Sequence, residues 1–220
     1  MKPIRITGRH VMFSQPIVRW GFDLNMGLIL GKHRNYLIDT GFGSNSVAPV
    51  LEYLAGDDKP IIAINTHACW DHVWGNHVFE KGLIIGHKIA QEMLAKHWGD
   101  VVAKNAEYVD GDVRKCPPNL TFEGEMHFAD DGISIFHTPG HSPCSISIID
   151  TVDKVLYAGD NIGDTMDKII PEIYGDMNDF RATVDFWKKL DFEIAISGHN
   201  KPQTKAVIKN IEAELAKLEG

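Results

Sequence analysis

Cysteine is scarce in this chain, with only Cys69, Cys116 and Cys144 among 220 residues. An odd, sparse set with no framework spacing excludes a disulfide-stapled fold, leaves at least one thiol unpaired and agrees with a reducing compartment. Long apolar runs are missing as well. No stretch approaches the roughly 18 residues of a membrane span. The polar start Met1-Lys2-Pro3-Ile4-Arg5 has no signal-peptide core. The expectation is a cytoplasmic protein with no membrane partner. Nor is there a run of Lys or Arg: 22 basic residues face 30 acidic ones, for a formal net charge of −8. Nucleic acid is therefore a disfavoured partner. Low-complexity tracts and short internal repeats are also absent.

What is present suits a globular core, since 44% of the residues are hydrophobic and 24% charged. The length fits a single domain over residues 1–220, built as two halves, roughly 1–120 and 121–220. Short apolar runs broken by Gly, Asp and Asn predict strands at Met26 to Leu30, Tyr36 to Ile38, Ile61 to Asn65, Leu83 to Ile85 and Leu120 to Phe122. The same reading places strands at Glu125 to Phe128, Ile133 to His137, Ser145 to Ile149, Val155 to Ala158 and Ile194 to Ser197. Val47, Val50, Leu51 and Leu54 fall on one helical stripe, with Ser44 or Ser46 as N-cap. Further helices are read over Lys88 to Trp98, around Phe180, Val184 and Trp187, and along Val207, Ile211, Leu215 and Leu218. Asp100 to Pro118 and Asn161 to Met177 are the least regular stretches, and loops of that length are commonly functional.

Chemistry is concentrated where the apolar runs end. Residues 66 to 72 read Thr-His-Ala-Cys-Trp-Asp-His, directly after Ile61-Ile62-Ala63-Ile64. Imidazole, thiolate and carboxylate are the side chains that bind zinc or iron, and a short loop leaving a buried strand holds them around one point. Four other strand ends present Asp or His beside small or helix-breaking residues: Asp39-Thr40-Gly41, Pro139-Gly140-His141, Gly159-Asp160 and Gly198-His199. Rigid scaffolds aim metal ligands in this way.

Taken together, the order Asp39, His67 to His72, His141, Asp160 and His199 resembles the metallo-β-lactamase superfamily. That family's pattern is His-x-His-x-Asp-His, a distant His, a bridging Asp and a last His. The resemblance covers nearly the whole chain and implies an α/β fold: a four-layer αββα sandwich of two mixed sheets with helices outside and a metal cleft along one edge. It also implies a ligand set. His67, Cys69 and His141 correspond to a first metal site, Asp71, His72 and His199 to a second, with Asp160 bridging. Asp39 corresponds to the carboxylate that orients a ligand, and Gly75 and Asn76 continue the motif.

The implied cofactor is one or two zinc ions, with iron as the other candidate. The implied reaction is hydrolysis of a small-molecule ester, thioester or lactone by a metal-bound hydroxide, with Asp71 orienting the water or handling the leaving group. Cys69 departs from the family, which has histidine there. As a ligand, its thiolate would weaken the metal as a Lewis acid. If it is not a ligand, only the second site is filled. A third reading uses His67, His141 and Asp160 as the two-histidine, one-carboxylate set of a mononuclear iron oxygenase acting on a sulfur compound, as in persulfide dioxygenases. A catalytically silent metal-binding member of the fold is the remaining alternative.

Histidines outside these motifs, such as His10, His77 and His87, read as surface or structural residues, and Cys116 and Cys144 as small buried hydrophobes. Trp70 and Trp74 flank the ligands, and Ile170 and Tyr174 lie on the loop after Asp160. These four are the candidate apolar wall of a small-molecule pocket, or else a contact within a homo-oligomer.

Overall fold

The computed structural model describes residues 1–218. The strands form two mixed sheets. The first contains β1 (Pro3–Arg5), β2 (His10–Ile17), β3 (Phe22–Leu30), β4 (Asn35–Ile38), β5 (Ile61–Ile64), β6 (Leu83–His87) and β7 (Leu120–Phe122), side by side in chain order. β1 to β4 are antiparallel and β4 to β7 parallel. The second sheet runs in the order β13 (Gln203–Thr204), β12 (Ile194–Ser197), β11 (Val155–Gly159), β10 (Ile146–Asp150), β9 (Ile133–His137) and β8 (Glu125–Phe128). Its one parallel pair is β11 with β12.

Strand alternation explains the layers. Ile38, Ile64, Ile148, Tyr157 and Ile196 share a buried cluster between the sheets, whereas their chain neighbours do not. Leu37 and Ala63 instead pack under α1 (Ser44–Tyr53) with Val47 and Val50. Ile149, Leu156, Ala158 and Ala195 pack under α4 (Met177–Lys189) and α5 (Val207–Lys217) with Phe180, Trp187 and Ile211. A strand buried on both faces serves two cores at once, which is why these runs are apolar without interruption. The result is a helix–sheet–sheet–helix sandwich.

The observed elements extend the sequence reading in several places. β1, β2 and β13 were not expected, and β3 starts at Phe22 rather than Met26. In β2, Pro16 and the polar Ser14-Gln15 obscure the pattern. Helix α3 (Lys88–Lys104) continues through Asp100, and only its Ala90 and Leu94 are buried, so its apolar stripe is too thin to read. The N-cap of α1 is Gly43, with no side-chain cap; Ser44 and Ser46 lie inside the helix, where the Ser46 hydroxyl accepts from Phe42 N–H at 3.1 Å. Leu51 and Leu218 face solvent, at 38% and 64% exposure. Residues 161–176 hold no helix or named strand.

Two features position the site. β4 and β5 run parallel, as do β11 and β12, so their carboxyl ends lie together and the loops leaving them converge. Backbone bonds then tie the sheets at that edge: Ile146 N–H donates to Thr66 C=O at 2.8 Å, and Asn25 N–H to Gly198 C=O at 2.6 Å.

Candidate metal centre

Asp39 follows β4 with φ of 61°, the left-handed region that a non-glycine residue adopts only when its surroundings enforce it. Its carboxylate accepts three hydrogen bonds. Thr66 N–H reaches Oδ1 at 2.8 Å, while the Thr66 hydroxyl and His72 Nδ1 both reach Oδ2 at 2.8 Å. Asp39 therefore locks the loop that begins at the end of β5.

The same network fixes the tautomers. Thr66 gives its single hydroxyl hydrogen to Asp39, so its oxygen, 3.0 Å from His67 Nδ1, accepts a proton from that ring. His72 Nδ1 donates to Asp39. His141 Nδ1 donates to the Glu172 carbonyl at 2.8 Å and His199 Nδ1 to the Asp23 carbonyl at 2.9 Å. With every Nδ1 occupied, four Nε2 atoms are left to point inward.

They converge on three other groups. Asp160 Oδ2 lies 3.5 Å from His67 Nε2, 3.8 Å from His141 Nε2 and 3.3 Å from His199 Nε2, and Oδ1 lies 3.3 Å from His72 Nε2. Asp71 Oδ2 is 3.5 Å from His72 Nε2 and 3.3 Å from His199 Nε2. Cys69 Sγ is 3.6 Å from His141 Nε2. Three overlapping triads, His67–Cys69–His141, His67–His72–Asp160 and Asp71–His72–His199, each keep their ligand atoms within 4.8 Å of one another. All seven side chains proposed from the sequence as ligands thus meet at one place.

The donor set fits a divalent metal. His67 Nε2 and Asp160 Oδ1 are buried without any hydrogen bond, an arrangement that is costly unless a cation lies between such groups. Burial, reinforced by nearby His72, holds the His67 imidazole well below its ordinary value and so neutral, as a ligand must be. Burial opposes charge on His199, but Asp160 and Asp71 outweigh it and push the ring up to about 10. His72 is held well above its ordinary value by the same balance of burial against Asp160, Asp39 and Asp71. Burial, with Asp71 and Asp160, likewise raises the Cys69 thiol. Without metal, protons stand in for the missing positive charge, and an arriving ion displaces them.

Close packing leaves little tolerance. Asp71 and His72 sit on the single-turn helix α2 (Trp70–Val73), clamped where Thr40 N–H donates to His72 C=O at 2.8 Å and Trp74 N–H to Gly41 C=O at 3.1 Å. The Asn76 side chain links Thr40, Asn65 and the Cys116 carbonyl. A Cβ at Gly198 would overlap Asp160 Oδ1 and lie 2.6 Å from His72 Cε1, so the turn before His199 requires glycine.

The candidate ligands open onto a cleft of about 350 Å³. Trp70 and Tyr174 line it as expected, but Trp74 and Ile170 do not. Trp74 is fully buried behind the ligand loop, against α3, because its ring completes the cluster formed with Val73 and Leu94. Ile170 packs against the core beneath α4. Sequence reasoning missed Trp20, Phe22, Asp164 and Glu172, all of which line the cleft. Trp20 and Phe22 flank the turn at Gly21, where φ is 75°, and Asp164 lies in the irregular loop after Asp160. None belongs to a motif, so periodicity gave no signal.

Fold and site together define a metal-binding αββα sandwich. The family profile described as metallo-beta-lactamase superfamily matches residues 19–199, and the chain belongs to that superfamily. Relatives include Acyl-coenzyme A thioesterase MBLAC2 of Bos taurus, 28% identical over 171 residues, covering 66% of this chain and 60% of that protein. The Homo sapiens protein of the same name is 28% identical over 172 residues, with 66% and 60% coverage. Probable metallo-hydrolase MJ0888 of Methanocaldococcus jannaschii is 32% identical over 150 residues, covering 65% of this chain and 69% of its own. The chain thus spans about three fifths of the length of the thioesterases it matches. Among solved structures, TMB-1 superposes with a TM-score of 0.76 at 14% identity, covering 100% of this chain and 98% of that one. A metallo beta lactamase from Hirschia baltica gives 0.71 at 19%, covering 95% and 94%. At such identities these two likenesses speak for the fold.

Proposed function

We propose that the protein is a metal-dependent hydrolase of small-molecule thioesters and related esters. The observation that carries this reading is the convergence of four pinned imidazoles with Asp71, Asp160 and Cys69 at the floor of an aromatic cleft. The names of the relatives, thioesterase and metallo-hydrolase, favour the thioester among the acyl substrates considered. Zinc is the proposed metal, because a set containing thiolate and imidazole suits it.

His67, Cys69 and His141 would hold one ion, and Asp71, His72 and His199 the other, with Asp160 between them. When bound, such ions lower the pKa of water from 15.7 towards roughly 7 and polarise an acyl oxygen. The chain's own residues do the rest. Asp39 and Thr66 fix the orientation of His67 and His72, as partners of ligating histidines do. Asp71 lines the cleft and would orient the attacking water or handle the leaving thiol. Trp70 and Trp20 keep bulk water from one side of the scissile group.

Metal analysis of the purified protein, paired with turnover of a simple acyl thioester, tests the reading. Zinc at one or two per chain, with turnover lost on chelation, is the expected result. Iron with oxygen consumption, or turnover unchanged after chelation, would overturn it. Asp160→Asn should reduce bound metal and lower kcat/KM at least about 100-fold, the upper end of what loss of a mere outer-shell partner costs.

A further inference from the structure

The geometry points to a substrate that carries a positively charged ammonium group, held at the His199 end of the cleft between the Asp164 carboxylate and the Trp20–Phe22 rings. This deepens the hydrolase reading and rests on it.

Three observations carry the inference. The first is charge. Asp71, Asp160, Asp164 and Glu172 line the cleft, and no Lys or Arg does. Asp71 and Asp160 belong to the metal set, where their charge is matched. Glu172 is exposed and accepts a hydrogen bond from the Tyr174 hydroxyl at 2.8 Å. Asp164 alone has no such role, and no hydrogen bond or ion pair to any described residue reaches its carboxylate. Beside Asp164 an anionic group would meet repulsion with no Lys or Arg in the lining to offset it.

The second observation is the aromatic lining, where Trp20, Phe22 and Trp70 border the same cleft. Trp20 lies 5.6 Å from Phe22, 5.7 Å from Trp70 and 5.2 Å from Tyr108, ring centroid to centroid. Trp20 is 38% exposed, a large ring held at the surface by other rings rather than by a core. Aromatic faces attract cations, most strongly where solvent is excluded, and clustered rings are the usual cage for an alkylated ammonium. The third observation is position. Phe22 stands edge-on to His199 at 5.1 Å, and Asp164 and His199 line the same cleft. Carboxylate and rings thus border the cleft into which this histidine opens.

A matched set of thioacetates tests this: thiocholine acetate, its uncharged 3,3-dimethylbutyl isostere, and a carboxylate analogue of similar length. The expected order of kcat/KM is cationic, neutral, anionic, with at least about tenfold between the first two, the ratio that one cation–π and carboxylate contact supplies. Asp164→Asn should collapse the cation-to-neutral ratio to about twofold with metal content retained, and Trp20→Ala should reduce it several-fold. Binding is read separately by titrating metal-loaded protein with choline and following tryptophan fluorescence; saturable quenching that Asp164→Asn weakens is expected. Equal turnover of cationic and neutral substrates, with no choline binding, overturns the proposal and leaves the hydrolase reading standing. Loss of metal in Asp164→Asn also overturns it, by making Asp164 a ligand. Choline binding through Asp164 with no turnover of any acyl substrate sustains the cation site and removes the hydrolase reading.

Discussion

Cys69 is the residue at which this chain leaves its family's pattern, and its thiol sits where an imidazole would otherwise face His141. A thiolate adds negative charge to the first metal and binds at about 2.3 Å rather than the 2.0 to 2.1 Å of imidazole. Cys69→His should therefore keep the metal and raise the rate of thioester hydrolysis several-fold, measured as kcat at saturating substrate alongside metal content. A collapse of activity with metal retained would show a role for sulfur that histidine cannot fill. Gly198 is the opposite kind of position, where space decides everything. Gly198→Ala should cost both Asp160 and His72 their placement, and titration with a chromophoric zinc chelator should show affinity reduced at least tenfold.

Elements that bury apolar faces behave differently from those that carry chemistry. Trp187 of α4 is fully buried beneath the second sheet, and its Nε1 donates to Ser147 Oγ at 3.0 Å. Trp187→Ala should lower stability by about 3–5 kcal/mol in denaturant unfolding, without changing the metal content of the folded fraction. The same division governs what could be read in advance. The convergence of the seven candidate ligands was legible because each stands in a short motif at a strand end, where sequence and space coincide. The central strands were legible from their unbroken apolar runs. β2 was not, because Ser14, Gln15 and Pro16 interrupt it, and α2 is a single turn that no periodicity can reveal. The cleft wall was half legible. Trp70 adjoins the motif, whereas Trp20, Phe22 and Asp164 come from a hairpin turn and a long loop, brought in by folding alone. Trp74 shows the converse, a motif neighbour that the fold turns inward to the core.

Across the whole molecule, metal and protons compete for one cluster. His199 is raised to about 10 in the metal-free fold, against an unfolded value near 6.5. Its contribution to metal-free stability is thus fully present below about pH 6.5 and lost as pH rises towards 10. The gap in Tm between metal-free wild type and metal-free His199→Gln should accordingly narrow over that range. Metal loading reverses the dependence, since protons then act as competitors. Zinc added to the metal-free protein at pH 7 should release protons, detectable with a pH indicator in weak buffer. The loaded protein should gain about 2.7 kcal/mol when free metal is 100 times Kd.

The candidate ligands are drawn from both sheets: His67, Cys69, Asp71 and His72 follow β5 of the first, while His141, Asp160 and His199 follow strands of the second. During synthesis the first four emerge well over a hundred residues before the last. A nascent chain thus displays a thiol, two imidazoles and a carboxylate that can catch a metal only loosely. His199 directly follows β12, so the set is complete only where β12 pairs with β11. Loading is therefore expected to be the final act of maturation, and a cell starved of metal would accumulate chains arrested at that stage.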